Sequence, residues 1–132
     1  MKKVLFVCVE NSCRSQMAKG FFNNLSEEEY ADSAGTEPAE TVNPTAIQVM
    51  EEININISEE RPKLITPQMN KEFDYIVTMG CIDGCPLTPK HKTIEWTIFD
   101  PHGKSIDFFR KTRENIRKHI EDLMEEIDKN EN

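Results

Sequence analysis

No apolar stretch of this sequence approaches the ~20 residues that a membrane-spanning helix requires. It has no internal repeat, no low-complexity run and no linker-like segment either, so nothing divides its 132 residues, and one domain over residues 1–132 is expected. A chain of this size can bury roughly two thirds of its unfolded surface, enough for a real core. Positive charge is in deficit: 24 acidic residues against 16 basic ones leave a formal net charge of −8. Nucleic acid calls for a basic surface, so it is not expected as a partner. A small anion stays possible, because it feels the groups within a Debye length of about 8 Å more than the total charge. Cysteine is scarce, with four in all. The apolar run after Met1-Lys2-Lys3 is too short for the core of a signal peptide, which predicts a cytoplasmic protein without membrane association. In that compartment four cysteines point to reactive or metal-binding thiols rather than a static disulfide framework.

What the sequence does contain is concentrated near its start. Val4-Leu5-Phe6-Val7 is an apolar run that ends at Cys8; five residues follow, and Arg14-Ser15 then opens a segment with helical spacing at Met17, Ala18, Phe21, Phe22 and Leu25. Strand, loop and helix in that order can turn backbone N–H groups inward at a helix start, where unpaired donors and the positive dipole end favour an oxyanion. Cys8 stands where such an anion would dock. The planar fork of Arg14 matches a tetrahedral oxyanion bidentately, the positive field favours a thiolate at Cys8, and Ser15 is placed to donate its hydroxyl to that sulfur. Residues Val9, Glu10, Asn11, Ser12 and Cys13 complete the loop.

The remaining elements follow from the same patterns. Strands are predicted at residues 3–9, 30–34, 74–79 and 93–98, and helices at residues 15–25, after the Asn43-Pro44 cap, and from Ser105 onward. Ser58 and Thr66-Pro67 read as caps of short helical turns. In the last helix Phe108, Phe109, Ile116, Ile120, Leu123, Met124 and Ile127 recur at helical spacing. Strands alternating with helices imply an α/β three-layer sandwich with a four-stranded parallel sheet, whose ligands bind beyond the carboxyl ends of the strands. The segments after the first, third and fourth strands then share one rim, which brings Cys8, Cys81 and Asp100 to one place.

Cys8-Val-Glu-Asn-Ser-Cys-Arg-Ser-Gln-Met-Ala resembles the phosphate-binding loop of the low-molecular-weight protein tyrosine phosphatase superfamily, and most of all its thioredoxin-coupled arsenate reductase branch. The likeness continues through Ser33-Ala34-Gly35, Asn43-Pro44 and Met79-Gly80-Cys81 to Asp100-Pro101, and so covers nearly the whole chain. It implies arsenate as substrate, with phosphate or sulfate as analogues, thioredoxin or a similar dithiol protein as reductant, and no cofactor. It assigns Cys8 the role of nucleophile and Asp100 that of general acid, with Asn11 holding the loop's strained backbone above Ser33. A monomer is expected.

Cys81-Ile-Asp-Gly-Cys85 separates the branches. A phosphatase needs one cysteine, whereas a reductase needs two electrons that further thiols can supply. Cys81 could attack the sulfur of a Cys8–arsenic adduct, and Cys85 could finish the relay, since residues four apart on a helical turn lie about 6 Å apart, within disulfide range. The sequence also departs from its relatives. Lys19 stands where such reductases often place a glutamate that contributes, with the asparagine and serine, to a monovalent-cation site, and an ammonium there would repel the ion or replace its charge. Glu10 stands where many relatives have glycine, Gln16 where phosphatases usually have proline, and His102 where they tend to carry an aromatic residue. Two other readings stay open: a plain phosphatase, and a site of four thiolates from Cys8, Cys13, Cys81 and Cys85 holding zinc or an iron–sulfur cluster.

Overall fold

Along the first strand Val4, Phe6 and Cys8 face one side of the pleat while Leu5 and Val7 face the other, and all five are buried, so this strand has no solvent face. In the computed structural model, which describes residues 2–80 and 88–131, it becomes β1 (Lys3–Cys8) near the middle of a parallel sheet. The order is β2 (Tyr30–Gly35), β1, β3 (Tyr75–Met79), β4 (Thr93–Trp96).

The two faces are unequal. On one, Phe6 meets Phe22 and Trp96 with ring centroids 6.0 and 5.7 Å apart, at the centre of a core contributed by α1 (Arg14–Leu25), α2 (Pro44–Glu51) and α4 (Ile106–Glu131). The other is covered by a smaller cluster of Leu5, Val7, Ala34, Ile65, Phe73 and Ile76, against which Met69 of α3 (Pro67–Glu72) packs. Helices on both faces make the three-layer α/β sandwich that the alternation of elements predicts. Along α4 the residues Phe109, Ile116, Ile120, Leu123 and Ile127 are buried, at steps of three, four and seven that keep one face on the sheet, while Phe108 and Met124 are half-buried at its flanks. No described helix is long and apolar enough to cross a membrane.

Element ends follow local chemistry. Asn43 caps α2 by accepting from the N–H of Thr45, with Pro44 at the first helical position, and Thr66 caps α3 in the same manner before Pro67. Ser58 begins no helix. The side chain of Asn56 takes both the N–H and the hydroxyl of Ser58 and closes an Asx turn instead. The fourth strand stops at Trp96 rather than 98, because its partner β3 ends at Met79 and Gly80, at φ +72°, turns the chain away.

The chain leaves β1 for β2 on one side and then crosses to β3 on the other. The sheet order therefore reverses at β1, and the crevice beyond its carboxyl end is the place where open α/β sheets take ligands.

Candidate active site

Residues 9–13 run from β1 into α1, and their five carbonyl groups are all tied outward. Val9 O accepts from the N–H of Glu37 at 2.8 Å, Glu10 O from Ala39 at 2.9 Å, Ser12 O from Asn43 at 3.0 Å and Cys13 O from Met17 at 2.9 Å, while Asn11 O accepts from Nε2 of Gln16 at 3.0 Å. In a trans peptide the C=O of one residue and the N–H of the next point in opposite directions, and no described peptide is cis. The N–H groups of residues 10–14 are thus turned to the inner side of the loop, where they have no acceptor among the described residues. No side chain caps α1 at Cys13. Such a row of converging donors at a helix start is built for an anion.

Two backbone features allow the curl. Asn11 sits at φ 54°, a left-handed conformation that asparagine tolerates. Gly35 lies beneath the loop, where an added Cβ would come within 2.6 Å of the carbonyl oxygen of Val9.

Arg14 enters from the first turn of α1 and is 5% exposed. Its Nη1 donates to the carbonyl of Ile98 at 3.0 Å, its Nη2 lies 3.8 Å from the carboxylate of Asp100, and its Nε is buried with no partner among the described residues. A buried guanidinium with a free N–H has room for one more acceptor, and a tetrahedral oxyanion in the loop would supply it. Asp100 is half exposed, and its other oxygen accepts the N–H of His102 at 3.1 Å, which fixes the carboxylate at the rim. Phe99, between the two residues that hold Arg14, is 77% exposed.

Cys8 is buried, with Sγ 2.9 Å from Oγ of Ser15. The direction of that bond follows from its neighbours. Oδ1 of Asn11 accepts the backbone N–H of Lys63 at 2.9 Å, so Nδ2 of Asn11 must face Ser15, to which it donates at 2.7 Å. An amide NH2 accepts nothing. The Ser15 oxygen is therefore the acceptor there, and its single proton is left for the sulfur of Cys8.

Cys13 behaves otherwise. Burial pushes its thiol up to about 12, with Asp100 and Cys8 acting in the same sense, so it stays protonated; its nearest polar partner is the Ser12 hydroxyl at 3.8 Å. No group of three metal-ligating side chains occurs among the described residues. Cys81 and Cys85 lie outside those residues. Ser33 is buried opposite Phe6 in the sheet register, and its N–H goes to the carboxylate of Asp32 at 2.8 Å, while the bonds of Asn11 go to Ser15, Lys63 and Gln16.

Lys19, the cation that stands against a monovalent-cation site, is itself ion-paired. The ammonium of Lys19 stands 3.3 Å from one oxygen of Asp32 and is bonded to Glu60, and the ammonium of Lys63 takes the other oxygen of Asp32. Burial opposes the charge of Lys19, but Glu60 and Asp32 outweigh it and raise its pKa; likewise burial opposes the charge of Asp32, and Lys63, the Ser33 N–H and Lys19 together lower its pKa. A further cation would meet two ammonium groups.

Asp32, Lys63 and the carbonyl of Ile98 gave no signal in the sequence, while Gly35 and Gly80 stand inside motifs of the resemblance without any role being read for them. A Cβ on Gly80 would lie 2.6 Å from Nη1 of Arg14. The positive φ at this glycine is set by tertiary packing, and a solitary Met-Gly pair does not announce it.

A strand ending at a cysteine, a loop with its amides turned inward and an arginine at the helix start define a phosphate-loop protein, and residues 3–132 match the low molecular weight phosphotyrosine protein phosphatase family, to which the chain belongs. Within it, the chain is 38% identical to the "Glutaredoxin arsenate reductase" of Synechocystis sp. over 132 residues, covering 96% of this chain and 99% of that protein. It is 38% identical to the "Arsenate reductase" of Staphylococcus xylosus, covering 92% and 95% of the two chains. Among solved structures it superimposes on an arsenate reductase in the phosphate-binding state with a TM-score of 0.87 at 37% identity, covering 96% of this chain and 99% of that one. The low molecular weight protein tyrosine phosphatase of T. tengcongensis gives 0.83 at 28% identity, with coverage of 96% and 99%.

Proposed function

We propose that this protein is an arsenate reductase in which Cys8 is the nucleophile and Cys81 and Cys85 carry a disulfide relay. The observation that carries the reading is the cradle itself: five inward N–H groups and an unpaired buried Nε of Arg14 around a sulfur that receives the Ser15 proton. Likeness to arsenate reductases at 37–38% identity over nearly the whole chain supports the choice of oxyanion.

Arsenate binds between the loop amides and Arg14, and the Cys8 thiolate attacks arsenic. An arsenic–oxygen bond breaks as Asp100 gives a proton to the departing oxygen, which leaves as water. The oxyanion competes with Asp100 for Arg14, which frees that carboxyl for the transfer. Cys81, as thiolate, attacks the Cys8 sulfur; the sulfur–arsenic bond breaks, its electron pair passes to arsenic, and arsenite leaves from a Cys8–Cys81 disulfide. Cys85 attacks Cys81, expels the Cys8 thiolate and leaves a Cys81–Cys85 disulfide. A dithiol protein of the thioredoxin or glutaredoxin type, acting in the cytoplasm, restores both thiols.

Hydrolysis of phosphate monoesters is the second reading, favoured by the shared fold of the T. tengcongensis phosphatase and by a cradle that cannot tell phosphate from arsenate. It uses Cys8 alone. Mass spectrometry of the alkylated protein after one turnover with arsenate separates the two: a Cys81–Cys85 disulfide supports the relay, and free thiols throughout leave only the phosphatase.

A further inference from the structure

Four charged side chains meet on the β2 edge of the sheet, behind the loop rather than in it. Asp32 lies near the middle, with Lys19 from α1 on one oxygen and Lys63 on the other, and Glu60 bonds Lys19 from the far side. The side chains of Asp32 and Lys19 are 15% and 18% exposed, so the cluster is screened far less than a surface pair. Tyr30 is the other titratable group whose charge balance Asp32 touches. None of these side chains reaches Cys8.

The connection to Cys8 runs through the backbone of residue 63. Its ammonium is fastened to Asp32, its carbonyl accepts the N–H of Gly35 at 2.8 Å, and its N–H holds Oδ1 of Asn11. That last bond decides which end of the Asn11 amide faces Ser15, and so which way the Ser15 proton points. If residue 63 shifts, Asn11 can rotate its amide; its oxygen then takes the Ser15 proton, and the sulfur loses its donor.

We propose that Asp32, clamped between Lys19 and Lys63, is a positioning residue: the chain's own ammonium groups lock the segment that orients Asn11, and through Asn11 and Ser15 keep a proton aimed at Cys8. The inference rests on the reading of Cys8 as the reacting thiol but not on the relay or on arsenate.

The test is the rate of iodoacetamide alkylation at Cys8 against pH, with no arsenate present and the modified sulfur located by fragment-ion mass spectrometry. Asp32→Asn keeps the size and removes the charge that both ammonium groups share. Lys63→Met keeps the backbone N–H and removes its fastening; that side chain is 41% exposed, so its loss opens no core. Both variants are expected to move the profile to higher pH by about one unit, which slows alkylation about tenfold at pH values well below the midpoint. Glu52→Gln, which breaks a surface cluster with Arg110 and Arg113 far from the loop, is the control for general loosening and is expected to leave the profile in place. Profiles of Asp32→Asn and Lys63→Met that superimpose on the parent would overturn the proposal; should Asp32→Asn not fold, Lys63→Met alone decides. Because arsenate is absent from the assay, a protein unable to reduce it would still report on Asp32.

Discussion

Gly80 and Arg14 are in contact across two elements: at the end of β3 the glycine, at φ +72°, leaves space that Nη1 of Arg14 fills, and a Cβ there would come within 2.6 Å of that nitrogen. The guanidinium is thus seated by a missing side chain on one side and by the Ile98 carbonyl on the other. Gly80→Ala is expected to push Arg14 out of register as well as strain the backbone. Titration calorimetry with phosphate should show affinity reduced roughly ten- to a hundredfold, the ~1.5–3 kcal/mol of a hydrogen bond to a charged group. Unchanged affinity would mean that Arg14 is free to bind from elsewhere.

Cys8→Ser is expected to abolish arsenate reduction and the hydrolysis of p-nitrophenyl phosphate alike, because one thiolate serves both. Cys81→Ser should abolish reduction yet spare the hydrolysis. Arsenite formation and nitrophenol release measured on the same preparations check this, and joint loss in Cys81→Ser would count against the relay.

Asp100→Asn keeps the rim but supplies no acid. The first attack on arsenate should slow by roughly 10²–10⁴-fold, the usual contribution of general acid catalysis, while phosphate still binds, since the loop amides and Arg14 are intact. Single-turnover kinetics beside calorimetry distinguish the two effects.

Cys13 gives the protein an alkaline liability. Its folded thiol is held up to about 12 against an ordinary value of 9.0, chiefly by burial. The unfolded chain therefore loses that proton first, so the contribution is fully present below pH 9 and is lost as pH rises from 9 toward 12. At ~1.4 kcal/mol per unit this amounts to about 4 kcal/mol over the window. Urea unfolding of the parent and of Cys13→Ala should converge in stability between pH 9 and pH 11, and Cys13 should resist alkylation at pH 8 while Cys8 reacts. Equal labelling of both would contradict the burial of Cys13.

Much of this site is local, and local order can be read from residues in sequence. The short continuous apolar run around Phe6, bounded by a polar loop, suits a strand covered on both faces, and the helical spacing after Arg14 buries one side of a helix, so strand, loop and helix follow from neighbours along the chain. Cys8, Arg14 and Ser15 then fall at the loop's ends by covalent connection alone. The fourth strand is expected to reach residue 98, two residues past its observed end at Trp96, and the apolar side chain of Ile98 does not reveal that its carbonyl serves Arg14 instead of the sheet. Ser58 likewise has the composition of a cap, yet Asn56, two residues earlier, takes its N–H first.

By itself the sequence determined the α/β order of elements, the cysteine at the strand end and the arginine five residues beyond the loop's start, since these depend on periodicity and on neighbours along the chain. Only the tertiary structure decided how three of the loop's five carbonyls are tied outward by residues 37–43, why Gly80 must be bare beside Arg14, and that Lys19 and Lys63 share Asp32. Those contacts join residues 13 to 66 positions apart. Their energy comes from distance and burial, which no spacing rule along a chain encodes.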